Sequence, residues 1–161
     1  MGKIDQGVIV LWLAKHYWKN DLSYIGFGGE GKQVRDILHI NDLFDLVILQ
    51  IQNIETYSGV IFNVWGGIET SVSLKELTSH CEKITGNRIQ IKKVKENRSA
   101  DIPIYITDNT KITTLSGWKP KIGTEEILGD VYKWLREKEN SVKKLLSWNI
   151  KLSIIMPAYN E

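Results

Sequence analysis

The chain has 161 residues, of which 42% are hydrophobic and 25% charged, with a formal net charge of +2. These figures describe a globular domain and leave none of the cationic excess that nucleic-acid binding requires. A single cysteine, Cys81, excludes an internal disulfide framework, and the longest apolar run, Val8 to Ala14, is too short to cross a bilayer.

Met1 to Asn20 reads as a helix capped by Asp5, with Val8, Leu11 and Trp12 on one side and Ile9, Val10 and Leu13 widening the apolar stripe. Leu22 to Phe27 and Gln33 to His39 read as strands. Between them Gly26, Gly28 and Gly31 stand at the G-x-G-x-x-G spacing of a dinucleotide fingerprint. That fingerprint needs a helix opening directly on its last glycine, where free N–H groups hold a pyrophosphate. KQVRDILHI follows instead, and its β-branched, alternating residues suit a strand. The glycines are therefore expected to supply positive φ for a hairpin. Asn41 is expected to cap a second helix carrying Leu43, Leu46, Val47, Gln50, Ile51 and Ile54 at helical spacing.

Val60 to Trp65 is a nearly continuous apolar run, the pattern of a strand covered on both faces. Ser73 and Glu76 spell a capping box for a helix that turns Leu74, Leu77, Cys81 and Ile84 inward and stops at Gly86. Ile89 to Val94 alternates as a half-exposed strand, and ENRSADIPIYITD runs extended because Pro103 excludes helix. Asp108 is expected to cap a short turn over Asn109 to Leu115, and Thr124 a last helix with Ile127, Val131, Trp134 and Leu135 inward. Strands alternating with helices give an α/β class. The expected division is one α/β part over 1–138, a charged linker over 139–150, and the opening strand of a further domain in 151–161.

Few residues point to chemistry. Arg35, fixed on a strand after a tight turn, suits bidentate recognition of phosphate or carboxylate; an ion pair with Asp36 or Asp42 accounts for it equally well. Arg98 and Asp101 occupy a loop between strand and proline, where ligand groups often lie, although a solvated loop has the same composition. His39 among Leu38, Ile40 and Leu43 reads as a packing histidine. His16 and His80 lack acidic or cysteine partners at ligand spacing, so no metal is expected. The run KKVKENR reads as a solvated strand edge. No Ser-His-Asp, Cys-His or Y-x-x-x-K set has supporting context, so no catalytic residue is assigned. With no leader peptide or membrane span in view, a cytoplasmic setting is expected.

GKQVRDILHINDL, FNVWGGIETSVSLKEL and ENRSADIPIYITDNTKITTLSGWKPK resemble, in order and spacing, the C-terminal half of extended short-chain dehydrogenase/reductases. The subgroup is the NAD-dependent nucleotide-sugar epimerases and dehydratases. DQGVIVLW, GKQVRD, the S-x-S-L-x-E-L cap and GW-x-P are most similar to the CDP-paratose 2-epimerases, and the resemblance runs from Asp5 to Leu135. It implies the C-terminal part of a Rossmann-type fold without its N-terminal dinucleotide-binding half. It also implies that Arg35 touches a nucleotide's phosphates, and that Arg98 and Asp101 lie near the pyrophosphate and ribose. The partners it implies are a CDP- or UDP-linked sugar and the missing half, which would bind NAD. No residue of this chain is then expected to bind that cofactor, and the chain alone is expected to be inactive. Without that half, Val60 to Trp65 and the first helix are expected to leave apolar faces exposed, so that the chain self-associates or is only marginally stable. LSIIMPAYNE resembles the opening of family 2 glycosyltransferases. That resemblance implies an alternative, a non-catalytic remnant or connector attached to such an enzyme of polysaccharide biosynthesis.

Overall fold

A computed structural model describes residues 7–97 and 101–147. Helix α1 (Val8–Tyr17) leads into strand β1 (Leu22–Ile25), and a short 3-10 turn over Phe27–Gly29 precedes β2 (Val34–Asp36). Then follow α2 (Ile40–Gln52), the single-turn α3 (Ile54–Tyr57), β3 (Ser71–Ser73), α4 (Leu74–Thr85), β4 (Ile91–Val94) and β5 (Ile104–Tyr105). Three helices close the described region: α5 (Thr110–Ser116), α6 (Thr124–Glu137) and α7 (Glu139–Ser147). The Asp5 cap expected for α1 lies outside the described residues; the described helix opens on Gly7 without a side-chain cap.

The architecture is α/β, as expected, but the strands pair differently. β1 pairs in parallel with β4, whereas β2 is the centre of a separate sheet in the order β3-β2-β5. In that sheet β3 is antiparallel and β5 parallel to β2. The expected hairpin of β1 with β2 is therefore corrected. The glycines do take positive φ, yet they curl the chain over the end of the β1–β4 pair. At Gly31, with φ of 69°, a Cβ would lie 2.7 Å from the Tyr24 ring, so the turn is wrapped tightly on β1. Gln33 then donates from Nε2 to the Ile25 carbonyl, tying the two sheets together.

Val60–Trp65 is a second correction, because no strand pairing is seen for it among the described residues. Its backbone groups are taken by side chains. Asn109 accepts from Trp65 N–H at 3.2 Å and donates to Trp65 O at 2.9 Å, while Lys111 Nζ donates to Ile61 O at 2.8 Å. Ile61 is 83% exposed and Trp65 47%, so the run is not covered on both faces.

The main core joins α1, α4 and α6 through Trp12, Leu13, Leu77, Cys81, Leu128 and Leu135. Trp12 stacks on Tyr24 with ring centroids 5.8 Å apart, and both reach the Thr78 hydroxyl, so one contact fastens α1, β1 and α4. A smaller core of Leu46, Tyr57, Ile112 and Trp118 sits beneath α2 and α5. The capping box at Ser73 and Glu76 forms in full, and Gly86 closes α4 in the left-handed region. Trp134, expected inward, is half-exposed on α6, where Leu128 and Leu135 take the buried positions. Over Glu139–Ser147 the expected linker is helical, and Glu139 accepts from Tyr17 and Trp18 of α1. Residues 148–161, which include the expected further domain, lie outside the described residues.

Candidate functional site

Arg35 sits in the middle of β2, flanked by strands on both sides, which fixes its Cα–Cβ direction. Its Nη2 donates to Asp101 Oδ1 at 2.8 Å and to Ile102 O at 2.8 Å, and Nη1 donates to Val34 O at 2.7 Å. A guanidinium carries five N–H donors in a planar fork. Among the described residues, Nε–H and one Nη1–H make no hydrogen bond, leaving two donors unused. Two of the three expected site residues, Arg35 and Asp101, are thus brought into direct contact. The third, Arg98, lies outside the described residues.

The alternative pairings of Arg35 are corrected. Asp36 points to the opposite side of the strand, where its Oδ2 accepts from Gly67 N at 2.8 Å and Thr107 N at 3.0 Å. Asp42 is 2% exposed and accepts from the Lys121 and Ile122 backbone N–H groups at 3.1 and 3.0 Å. Both carboxylates hold loops in place. His39 is structural as expected: it is the N-cap of α2, two residues before Asn41. Its Nδ1 accepts from Asn41 N, and its Nε2 lies 3.3 Å from Asp130 Oδ2 of α6.

Arg35 and Asp101 line a cleft of about 1040 Å³ together with Gln33, Trp65, Tyr105 and residues of α1 and β1. The arginine and aspartate side chains are 37% and 25% exposed, so they sit at the wall of the cleft, partly wetted. Sequence patterning gave no sign of Trp65 and Tyr105, because their place at the cleft depends on how the segments after α3 and before α5 return to β2. Trp65 is oriented by a 2.9 Å hydrogen bond from Nε1 to the Asp36 carbonyl.

The other candidate groups are held by the fold among the described residues. Cys81 is fully buried and its thiol is pushed up to about 12 by burial, which removes the thiolate a nucleophile requires. His16 is fully buried, its Nδ1 is 2.9 Å from Trp12 O, and burial lowers its pKa. Among the described residues no three metal-ligating side chains converge. No helix there is long and apolar enough to cross a membrane. The glycine turn does not fit a dinucleotide. The space beside Gly31 is filled by Tyr24, that beside Gly29 by Lys93, and the turn leads into β2 instead of a helix.

An arginine on an inner strand, paired with a carboxylate at the wall of a cleft, is the candidate site of this α/β fold. No family model matches the chain. It is 32% identical over 106 residues to CDP-paratose 2-epimerase of Salmonella typhi, covering 66% of this chain and 31% of that protein. It is 37% identical over 118 residues to a probable GDP-L-fucose synthase of Oryza sativa subsp. japonica, covering 72% and 34%. Among solved structures, a UDP-glucose 4-epimerase of Thermotoga maritima with UDP-glucose matches with a TM-score of 0.65 at 23% identity, over 83% of this chain and 40% of that one. A UDP-glucuronic acid 4-epimerase of Bacillus cereus, in complex with UDP-glucuronic acid and NAD, matches with a TM-score of 0.67 at 19% identity, over 80% and 39%. The structural matches speak for the fold. The chain is homologous to the C-terminal part of the nucleotide-sugar epimerases and dehydratases of the extended short-chain dehydrogenase/reductase fold. It spans about a third of the length of the curated relatives it matches.

Proposed function

We propose that this chain is the substrate-binding portion of a nucleotide-sugar epimerase, in which Arg35 touches the nucleotide's phosphates and Arg98 and Asp101 lie near the pyrophosphate and ribose. The observation that supports it most is the Arg35 guanidinium, held at the cleft wall by Asp101 and Ile102 with N–H donors to spare. A cation fixed in this way binds a phosphate without first ordering a long side chain, which would otherwise cost about 2 kcal/mol of rotamer entropy. Asp101, by orienting Arg35 and presenting a second oxygen, suits a neighbouring sugar hydroxyl. A CDP-linked sugar is the proposed ligand, on the motif pattern and the likeness to the Salmonella epimerase.

NAD chemistry is proposed for the whole protein and is assigned to no residue here, since the glycine turn does not fit the cofactor. A dinucleotide-binding part on a further stretch, covering the exposed apolar residues around Ile61 and Trp65, belongs to the same proposal.

Titration of the chain with CDP and UDP sugars tests the diphosphate role. Arg35→Ala is expected to weaken binding by one to two orders of magnitude, the value of a charge-assisted hydrogen bond or two. Unchanged affinity in a variant that melts as the wild type does would refute the assignment.

A further inference from the structure

Two features of the sequence stay outside the proposed site: the glycine turn between β1 and β2, and the basic run that begins in β4. The fold brings them together. A Cβ at Gly29 would lie 3.0 Å from Lys93 Cβ and 3.0 Å from Val94 N, so the missing side chain lets the turn lie against β4. Gly31 O accepts from Lys75 N at 2.9 Å, which fastens the same turn to the first turn of α4. Tyr24 packs its ring beside Gly31, and its hydroxyl is 2.7 Å from Thr78 Oγ1.

These contacts enclose a hollow of about 430 Å³ lined by Tyr24, Glu30, Lys32, Lys75 and Lys93. It shares no lining residue with the Arg35 cleft. Lys32 is paired with Glu30, whereas Lys75 and Lys93 have no acidic partner of their own among the described residues. All three ammoniums bear on the one carboxylate and hold it below the usual carboxylate range, Lys32 first through a hydrogen bond, then Lys93 and Lys75 by charge. Three lysines against one glutamate leave a local excess of +2, as large as the formal net charge of the whole chain. Elsewhere the charges of the chain cancel. Ammoniums gathered around one hollow repel each other, and Lys75 also stands in the first turn of a helix, which disfavours cations. A bound anion relieves both costs.

We propose that this hollow is a further anion site, taking a phosphate of two or more charges, free or carried on a nucleotide. Each lysine offers its donors from a flexible stem, which suits the several oxygens of a phosphate. The site does not depend on the Arg35 reading, because the two have no residue in common.

The experiment titrates the Arg35→Ala chain with inorganic phosphate and, separately, with CDP, following backbone amides by NMR. Ionic strength is held constant with chloride, so that screening does not change along the titration. Arg35→Ala removes the guanidinium of the other site, and the phosphate response that persists belongs to the hollow. Saturable shifts are expected at Glu30, Lys32, Lys75 and Lys93 with phosphate. The same shifts with CDP show that the site also takes a phosphate on a nucleotide, and their absence that it takes the free anion; both support the proposal. Lys75→Gln and Lys93→Gln are each expected to weaken phosphate binding about tenfold, the value of one charge-assisted hydrogen bond. Lys93→Arg keeps the charge and is expected to keep the affinity. Both lysines are exposed, so thermal melts should match across the variants. A phosphate response that does not saturate, or one that Lys75→Gln and Lys93→Gln together leave unchanged, overturns the proposal and leaves the Arg35 site standing.

Discussion

Single residues in this fold divide into those that hold the chain and those left with something to offer a ligand. Asp36 and Asp42 are buried carboxylates that accept from pairs of backbone N–H groups, so their charge is absorbed by loops. Arg35 keeps two N–H donors without a partner among the described residues, and the proposed site uses that surplus. His16 is buried with no hydrogen-bond partner for Nε2 among the described residues, so burial disfavours its charged form. Its pKa lies below the usual 6.5, which means the unfolded chain binds the proton first. Its contribution is complete well above pH 6.5 and is lost as pH falls through the window below. Urea unfolding of the wild type and His16→Gln from pH 7.5 to 4.5 should show the wild type losing more stability as pH falls; parallel curves would contradict it.

At the level of elements, what was legible in the sequence was local and what was missed was not. The capping box of α4 is written in four adjacent residues, and the Gly86 stop lies at the end of one helical pattern. Ser73→Ala is expected to cost about 1 kcal/mol. The Ser73 hydroxyl and backbone hold the Glu76 carboxyl below its usual range, so the stability from that depressed pKa is present above the carboxylate range and lost as pH falls through it. The difference between wild type and Ser73→Ala should accordingly narrow below about pH 4; a constant difference would argue against the capping box. Strand pairing, by contrast, is settled across the chain. Leu22 pairs with Ile91 rather than with the next strand, and the apolar pattern of Val60 to Trp65 says nothing of Asn109 occupying its backbone. The site was half legible: Arg35 and Asp101 stood out by residue type and by family resemblance. Their contact across 66 positions follows only from the fold.

Across the whole molecule, the apolar surface is larger than the two cores absorb. Ile40, Phe44, Val47 and Ile51 form an exposed stripe along α2 at spacings of four, three and four, while the opposite face covers Leu46 and the smaller core. Ile54, Ile61 and Trp65 extend the exposed apolar area beyond it. Surfaces of this kind associate in water. Sedimentation of the chain is expected to show a weight-average mass that rises with concentration, and Phe44→Glu with Ile51→Glu to restore a monomer. A monomer across the accessible range would contradict this.

In the proposed function the Arg35 guanidinium, held by Asp101, faces the diphosphate of a nucleotide sugar. A crystal structure of the chain with CDP-glucose is the decisive measurement. A phosphate oxygen is expected within hydrogen-bond distance of the Arg35 guanidinium, with the Asp101 contact retained. Phosphates bound elsewhere, with Arg35 still turned only toward Asp101 and the backbone, would contradict it.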